Sequence, residues 1–90
     1  MIKYSVIYTD KALKQLSKLN AYTKKLIISW IEKNLVDCEN PRAKGKGLTA
    51  NHSGEWRYRV GDYRILADIK DEIITILVLE IGHRSKIYKD

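Results

Sequence analysis

Three strand-like runs separated by very short connections occupy the second half of the chain. The runs read W-R-Y-R-V, Y-R-I-L-A-D-I-K and I-I-T-I-L-V-L-E-I, and the dipeptides Gly61-Asp62 and Asp71-Glu72 separate them. Apolar and polar residues alternate through the first two runs, which is typical of half-buried strands. Connections of two residues join antiparallel neighbours, and glycine at the first position suits a type II′ turn. The runs therefore predict two consecutive β-hairpins.

The first half of the chain predicts one strand and two helices. An alternating apolar run at the N-terminus predicts the strand, with Ile2, Tyr4, Val6 and Tyr8 on one face. Thr9 or Asp10 can cap a first helix that ends near Asn20, where a second helix can begin. Apolar residues at spacings of three and four form one stripe on each helix: Ala12, Leu13, Leu16 and Leu19, then Leu26, Ile27, Trp30, Ile31 and Leu35.

The predicted order of elements is β-α-α-β-β-β, which indicates an α+β fold. In the simplest packing, a helix hairpin covers one face of a four-stranded, mainly antiparallel sheet. The 90 residues are enough for a single domain over 1–90 and leave no room for a second one. The N-terminus lacks a signal-peptide core, and no apolar run approaches the roughly 20 residues that span a bilayer. We therefore expect a cytoplasmic protein with no membrane partner.

The charge balance favours a polyanionic partner. Seventeen Lys and Arg residues against eleven Asp and Glu give a net charge of +6, which suits nucleic acid or an acidic protein, although basic charge can also serve solubility alone. The single Cys38 excludes an internal disulfide, and no cysteine and histidine spacing resembles a zinc site. Residues 40–54 carry a proline, three glycines and no acidic residue, which predicts a flexible basic loop that contains Lys44 and Lys46.

The first late hairpin predicts a cluster of arginines on one face of the sheet. A two-residue turn at Gly61 places Arg59 opposite Arg64, and strand alternation puts Arg57 on the same face. Like charges across a sheet are destabilising, and a bound phosphate would supply the counter-charge, since guanidinium groups match phosphate oxygens bidentately. The alternative is that these arginines form ordinary ion pairs with Asp62, Asp68 or Glu80. Alternation assigns the remaining large residues to the helix side of the sheet, including Trp56 and Tyr58, which could otherwise stack on bases.

The chain ends in G-H-R-S-K-I-Y-K-D, directly behind the third strand. That strand is predicted to run from Ile73 to Ile81, and Gly82 permits a bend or bulge. Regular alternation would place His83 on the arginine face and Arg84 on the other. Bringing Arg84 to the cluster therefore requires an irregularity at or after Gly82.

The order of elements, the run G-E-W-R-Y-R-V-G-D-Y-R-I and the ending E-I-G-H-R-S-K-I-Y together resemble the RelE toxins of the RelE/ParE superfamily. The resemblance covers nearly the whole chain. It implies a bacterial toxin of a type II toxin-antitoxin system that cleaves messenger RNA in the ribosomal A site without a metal and is held inactive by a cognate antitoxin. The implied chemistry is attack of a 2′-hydroxyl on the adjacent phosphate, which gives a 2′,3′-cyclic phosphate and a 5′-hydroxyl product.

The resemblance also implies roles for individual residues. Arg64 and Arg84 stand where the family has arginines that stabilise the charged phosphate, and Tyr88 stands at the catalytic tyrosine. Arg57 and Arg59 occupy the positions of two lysines, and because arginine cannot act as a base in a protein, we assign them to RNA binding. His83 is a second candidate for the acid or base beside Tyr88, because histidine is the side chain that ordinarily exchanges protons near neutral pH.

Further basic residues are predicted to contact RNA around this site. They are Lys44 and Lys46 of the basic loop and Lys86 of the tail, while the lysines of the first helix can serve either ribosomal RNA or solvation. Two other functions compete with the ribonuclease. A ParE-like gyrase inhibitor would share the fold without nuclease chemistry, and a non-catalytic RNA-binding module would use the basic face but tolerate the loss of Tyr88.

Overall fold

Both long helices begin at side-chain caps that the sequence supplies. In the computed structural model, which describes residues 2–47 and 55–87, the Thr9 hydroxyl accepts a hydrogen bond of 3.1 Å from the amide of Ala12. The Asn20 side chain accepts one of 2.8 Å from the amide of Thr23. Helix α1 spans Asp10–Ser17 and helix α2 spans Ala21–Asn34, and a short connection joins them.

Five strands form one mixed sheet. They are β1 (Ser5–Tyr8), β2 (Lys46–Gly47), β3 (Glu55–Val60), β4 (Tyr63–Lys70) and β5 (Thr75–His83), in the spatial order β1-β5-β4-β3-β2. β1 pairs parallel with β5, and the other three pairings are antiparallel. A four-residue helix, α3 (Arg84–Ile87), follows β5. The α+β class is confirmed, and the difference from the predicted four strands is the short β2, which the basic loop contributes.

The core lies between the helices and one face of the sheet. Ile27 and Ile31 of α2 are fully buried, together with Tyr58 on β3 and Ile65 on β4. The apolar stripe of each helix is narrower than predicted, because Leu13 and Leu26 are exposed by 49% and 43%. None of the helices in the described part of the chain is long and apolar enough to cross a membrane.

The connection between β4 and β5 differs from the predicted two-residue turn. Asp71–Ile73 form a 3-10 turn, and Ile74 adopts a left-handed conformation with φ of 51°. β5 consequently begins at Thr75 rather than Ile73. The carboxylate of Asp71 accepts hydrogen bonds from the Tyr4 hydroxyl at 2.7 Å and from both terminal nitrogens of Arg42 at 2.9 and 3.1 Å. The connection is therefore held by residues distant in sequence, which a local turn pattern cannot reveal.

Candidate nucleic-acid interface

The β3–β4 hairpin brings three arginines to the face of the sheet opposite the helices. Arg59 pairs directly with Arg64 and Arg57 pairs with Leu66, as the predicted register requires. The adjacent positions point to the helices, where Tyr58 is fully buried and Val60 is nearly so. The prediction that Arg57, Arg59 and Arg64 share one face is confirmed.

Hydrogen bonds to the β3–β4 turn hold two arginines, Arg64 and Arg84. Gly61 has a positive φ of 59°, whereas Asp62 does not, which is the pattern of a type II′ turn. The Arg64 guanidinium donates to the carbonyls of Gly61 and Tyr63 at 3.4 and 3.3 Å. The amide of Arg84 donates to the Asp62 carbonyl at 2.9 Å. Arg84, at the start of α3, therefore lies beside the same turn as Arg64.

The arginines act on one another electrostatically. Burial lowers the pKa of Arg64 below its ordinary value, and the charges of Arg59, Arg57 and Arg84 lower it further, against a smaller opposing effect of Asp62. Arginine remains protonated even under such crowding, because the charge of its guanidinium group is delocalised and strongly favoured in water. Four guanidinium groups thus produce a concentrated positive field at one place, and Arg84 contributes to it.

The acidic residues proposed as ordinary counter-charges are mostly engaged elsewhere. Asp68 forms an ion pair of 3.1 Å with Lys70, and Glu80 forms one of 3.3 Å with Lys11. Three of the four clustered arginines are Arg59, Arg64 and Arg84. Within residues 2–47 and 55–87, no carboxylate lies within ion-pair distance of these three. Ordinary surface ion pairs therefore do not neutralise these three arginines, and their positive charge is available to an external anion.

A cavity of about 290 Å³ opens beside the cluster. Its lining includes the three arginines of the hairpin, two lysines at the start of β2 and just before it, and one aromatic residue of α2: Arg57, Arg59, Arg64, Lys44, Lys46 and Trp30. The pairing of Lys46 with Arg57 across β2 and β3 fixes the segment with these lysines at the edge of the sheet. Lys44 and Lys46 therefore line the same cavity as the three arginines of the hairpin.

Hydrogen bonds tether the segment that carries these lysines to β3. The prediction of a flexible loop is therefore wrong for this part of the chain. The Tyr58 hydroxyl donates to the Pro41 carbonyl and the Trp56 indole donates to the Lys44 carbonyl, each at 2.6 Å. Gly45 has a φ of 82°, and a Cβ atom there would lie only 2.4 Å from the carbonyl oxygen of Arg57. The available signal was the pair of aromatic residues on β3 together with a glycine between two lysines. The second part of the loop, including His52, lies outside the described residues.

The prediction that His83 faces the arginines is wrong, because β5 contains a bulge. Leu66 pairs with Glu80 but its neighbour Ala67 pairs with Val78, so Leu79 is an extra residue in the ladder. The extra residue reverses the alternation of everything after it. Gly82 consequently lies opposite Arg64, and His83 lies opposite Tyr63 on the helix side of the sheet.

The same bulge brings Arg84 towards the cluster. Residues 82 and 84 share a phase with Arg64, whereas regular alternation would have sent Arg84 to the other face. The irregularity that the sequence analysis required is therefore present, but it lies at Leu79 rather than at or after Gly82. The chain then leaves the strand at Arg84, the first residue of α3.

His83 and Lys86 border a different cavity, of about 270 Å³, on the α1 side of the sheet. Lys18 of α1 and Tyr63 of β4 also line it, and the rings of Tyr63 and His83 meet edge to face at 5.6 Å. Lys86 is thus not at the rim of the arginine cavity. Tyr88, the candidate catalytic tyrosine, lies outside the described residues.

Comparison with known proteins identifies several relatives. The model of the family "ParE toxin of type II toxin-antitoxin system" matches residues 6–88. Toxin RelG of Mycobacterium tuberculosis is 31% identical over 86 residues, which cover 96% of this chain and 97% of RelG. A chain in the RelBE2 toxin-antitoxin complex of the same organism superposes with a TM-score of 0.84 at 30% identity, over 96% of this chain and 97% of that one. The isolated RelE toxin of E. coli shares the fold, with a TM-score of 0.71 at 20% identity over 89% of this chain and 83% of RelE.

Proposed function

The chain belongs to the ParE toxin family of type II toxin-antitoxin systems, within the RelE/ParE superfamily that its sequence predicted, and we propose that it is a ribosome-dependent messenger RNA endoribonuclease. The observation that carries this proposal is the convergence of four arginines, Arg57, Arg59, Arg64 and Arg84, around one hairpin turn. A protein that only docked on a partner would have no need to concentrate four guanidinium groups at one place. The resemblance of the runs G-E-W-R-Y-R-V-G-D-Y-R-I and E-I-G-H-R-S-K-I-Y to RelE toxins supports the ribonuclease over a gyrase inhibitor.

The chemistry needs stabilisation of negative charge on a phosphate. The 2′-oxygen of one nucleotide bonds to the adjacent phosphorus, the bond from phosphorus to the 5′-oxygen breaks, and the products are a 2′,3′-cyclic phosphate and a 5′-hydroxyl. The equatorial oxygens gain charge in the transition state, and fixed guanidinium groups stabilise that charge without reorganising. Arg64 and Arg84 are the proposed catalytic arginines, since both are held at the β3–β4 turn.

Two protons must also move. One leaves the attacking 2′-hydroxyl, and one joins the departing 5′-oxygen. Arginine cannot take either role at neutral pH. We propose Tyr88 for proton transfer, the role that the family resemblance implies for it, because His83 lies on the face of the sheet opposite the arginines.

Substrate binding is proposed for the remaining cations of the arginine cavity. Arg57, Arg59, Lys44 and Lys46 line the same opening and would contact successive phosphates of the messenger RNA. Lys86 borders the second cavity and is proposed to contact nucleic acid outside the reacting phosphate.

The proposed protein partner is a cognate antitoxin. The RelBE2 toxin-antitoxin complex of M. tuberculosis contains a chain with a similar fold. For this chain, the antitoxin would neutralise a toxin that acts on ribosomes in the bacterial cytoplasm.

The decisive experiment maps messenger RNA ends on translating ribosomes after addition of the purified protein. We expect A-site cuts with the wild type. The cuts should persist when a metal chelator is added, provided that free magnesium is held at the level that keeps the ribosomes intact. Arg64→Ala and Arg84→Ala should each reduce cleavage about 10²-fold, the usual loss on removing one charge-stabilising donor. Tyr88→Phe should reduce it by at least as much.

Lys25→Ala is the matched control, because this exposed lysine borders a separate hollow on α2. It should cleave as the wild type does. If the protein arrests growth when it is expressed in cells without an antitoxin but makes no A-site cuts on ribosomes, the ribonuclease proposal is overturned and gyrase inhibition is favoured, which a supercoiling assay would detect. Full cleavage by all three site variants would instead show that the residues are wrongly assigned.

A further inference from the structure

We infer that His83 is a positioning residue, whose ring holds the first turn of α3 and thereby fixes Arg84 beside the β3–β4 turn. The residue most suited by chemistry to move a proton near neutral pH would then serve as a helix cap. The part of this inference that concerns catalysis rests on the proposed ribonuclease function, whereas the part that concerns the position of Arg84 does not.

The ring nitrogen Nδ1 of His83 contacts Ser85 twice. The backbone amide of Ser85 donates to Nδ1 at 3.2 Å, and the Ser85 hydroxyl lies 2.9 Å from the same atom. A nitrogen that accepts a backbone N–H carries no proton of its own, so the ring has its proton on Nε2. Both Ser85 groups then donate, and His83 takes the place that Ser, Asn or Asp usually fills before a helix.

This cap matters because α3 is very short. A helix of four residues cannot stabilise itself, since forming the first turn fixes several backbone angles for little hydrogen bonding. Its first residue, Arg84, is instead anchored from both sides. The Arg84 amide donates to the Asp62 carbonyl at 2.9 Å, and the next residue is bound to the His83 ring.

The ring itself is held in place by the sheet. His83 pairs with Tyr63 across the β4–β5 ladder, and the two rings meet edge to face with an interplanar angle of 84°. The contact with Tyr63 of β4 therefore fixes the orientation of the His83 ring. The hydrogen bonds to Ser85 then connect the ring to α3. His83 thus connects the sheet to the start of α3 and so positions Arg84. In this role the His83 ring does not need to contact the phosphate.

The test uses three variants and two measurements. His83→Ala removes the acceptor, His83→Asn keeps a capping acceptor that does not titrate, and Ser85→Ala keeps the amide contact but removes the hydroxyl. Cleavage is measured over a range of pH on translating ribosomes, and exchange of the Ser85 amide is measured by NMR on the free protein. Ring nitrogen shifts of His83 report its tautomer.

We expect His83→Ala to lower kcat about fivefold to tenfold, the usual effect of losing a helix cap, and to raise exchange at Ser85 by a similar factor. His83→Asn should recover most of both with an unchanged pH profile, Ser85→Ala should lie between, and the wild-type ring should be protonated on Nε2. An inactive His83→Asn with a lost limb in the pH profile and normal Ser85 exchange would show that His83 is the acid or base.

The two proposals fail in different ways. A wild-type protein that never cleaves would refute the ribonuclease, while the Ser85 exchange and the His83 tautomer would still decide the cap. A tautomer with the proton on Nδ1, or exchange at Ser85 that ignores both His83 variants, would overturn the cap whatever the activity.

Discussion

Arg59 and Arg64 are direct cross-strand partners, although both carry a full positive charge. Such a pair works against folding and is tolerated only where something else requires it. Arg59→Gln should therefore raise the free energy of unfolding by about 0.5 kcal/mol at low salt, and the gain should vanish at high salt, where the repulsion is screened.

Urea denaturation at two salt concentrations measures this effect, with Lys25→Gln as a control that should change little at either. The same Arg59→Gln variant should bind RNA more weakly than the wild type. Equal or lower stability at low salt would mean that the arginines do not repel one another in the absence of RNA.

Gly45 and Gly61 form a natural comparison, because both have a positive φ but only Gly45 is crowded. Gly61→Ala meets nothing within 4 Å and should cost about 1 kcal/mol for the backbone conformation alone. Gly45→Ala adds a clash with the Arg57 carbonyl and should cost clearly more, about 2 kcal/mol or above. Thermal and urea unfolding of the two variants would check the order, and a reversed order would refute the close approach of the two segments.

Asp71 should make stability depend on acid. Hydrogen bonds from Arg42 first, and from Tyr4 second, hold the pKa of the Asp71 carboxyl below its ordinary value. The folded state thus favours the ionised form, so its contribution is complete above about pH 4 and is lost as pH falls through the lower folded pKa. Asp71→Asn should be less stable than the wild type at neutral pH, and the difference should shrink in acid. Denaturation midpoints between neutral and strongly acidic pH measure it, and a difference that stays constant would contradict the linkage.

The Trp56 indole should tune RNA binding without contacting RNA. Trp56→Phe keeps most of the ring but removes the donor to the Lys44 carbonyl, which frees the segment that carries Lys44 and Lys46. We expect affinity for a single-stranded RNA oligonucleotide to fall a few-fold, at nearly unchanged salt dependence, because no cation is lost. Lys44→Ala should instead reduce the salt dependence by about one unit of slope. A Trp56→Phe variant that binds as the wild type does would show that the tether is dispensable.

The sequence predicted those parts of the fold that rest on local pattern. The cap at Thr9, the start of the second helix at Asn20 and the register of the β3–β4 hairpin follow from local residue types and from a two-residue glycine turn. The three arginines of that hairpin are therefore placed correctly. Local pattern is sufficient there because the turn alone determines which residues face each other.

The parts that were missed depend on contacts between distant segments. The link at Asp71 is held by Tyr4 and Arg42, from opposite ends of the helical half of the chain. The bulge at Leu79 has no glycine to mark it, and it lies at the end of the apolar run 76–79, directly before Glu80. Alternation with a period of two cannot reveal an extra residue in a run of apolar side chains. The predicted face of His83 was wrong for that reason.

The bulge at Leu79 also affects how relatives of this chain should be aligned. A single residue deleted from β5 would exchange the surroundings of His83 and Arg84 while every amino acid of the ending stayed the same. Insertions and deletions in this strand would thus change the site more than most substitutions within it, and a match of the letters G-H-R-S alone does not establish which of them reaches the phosphate.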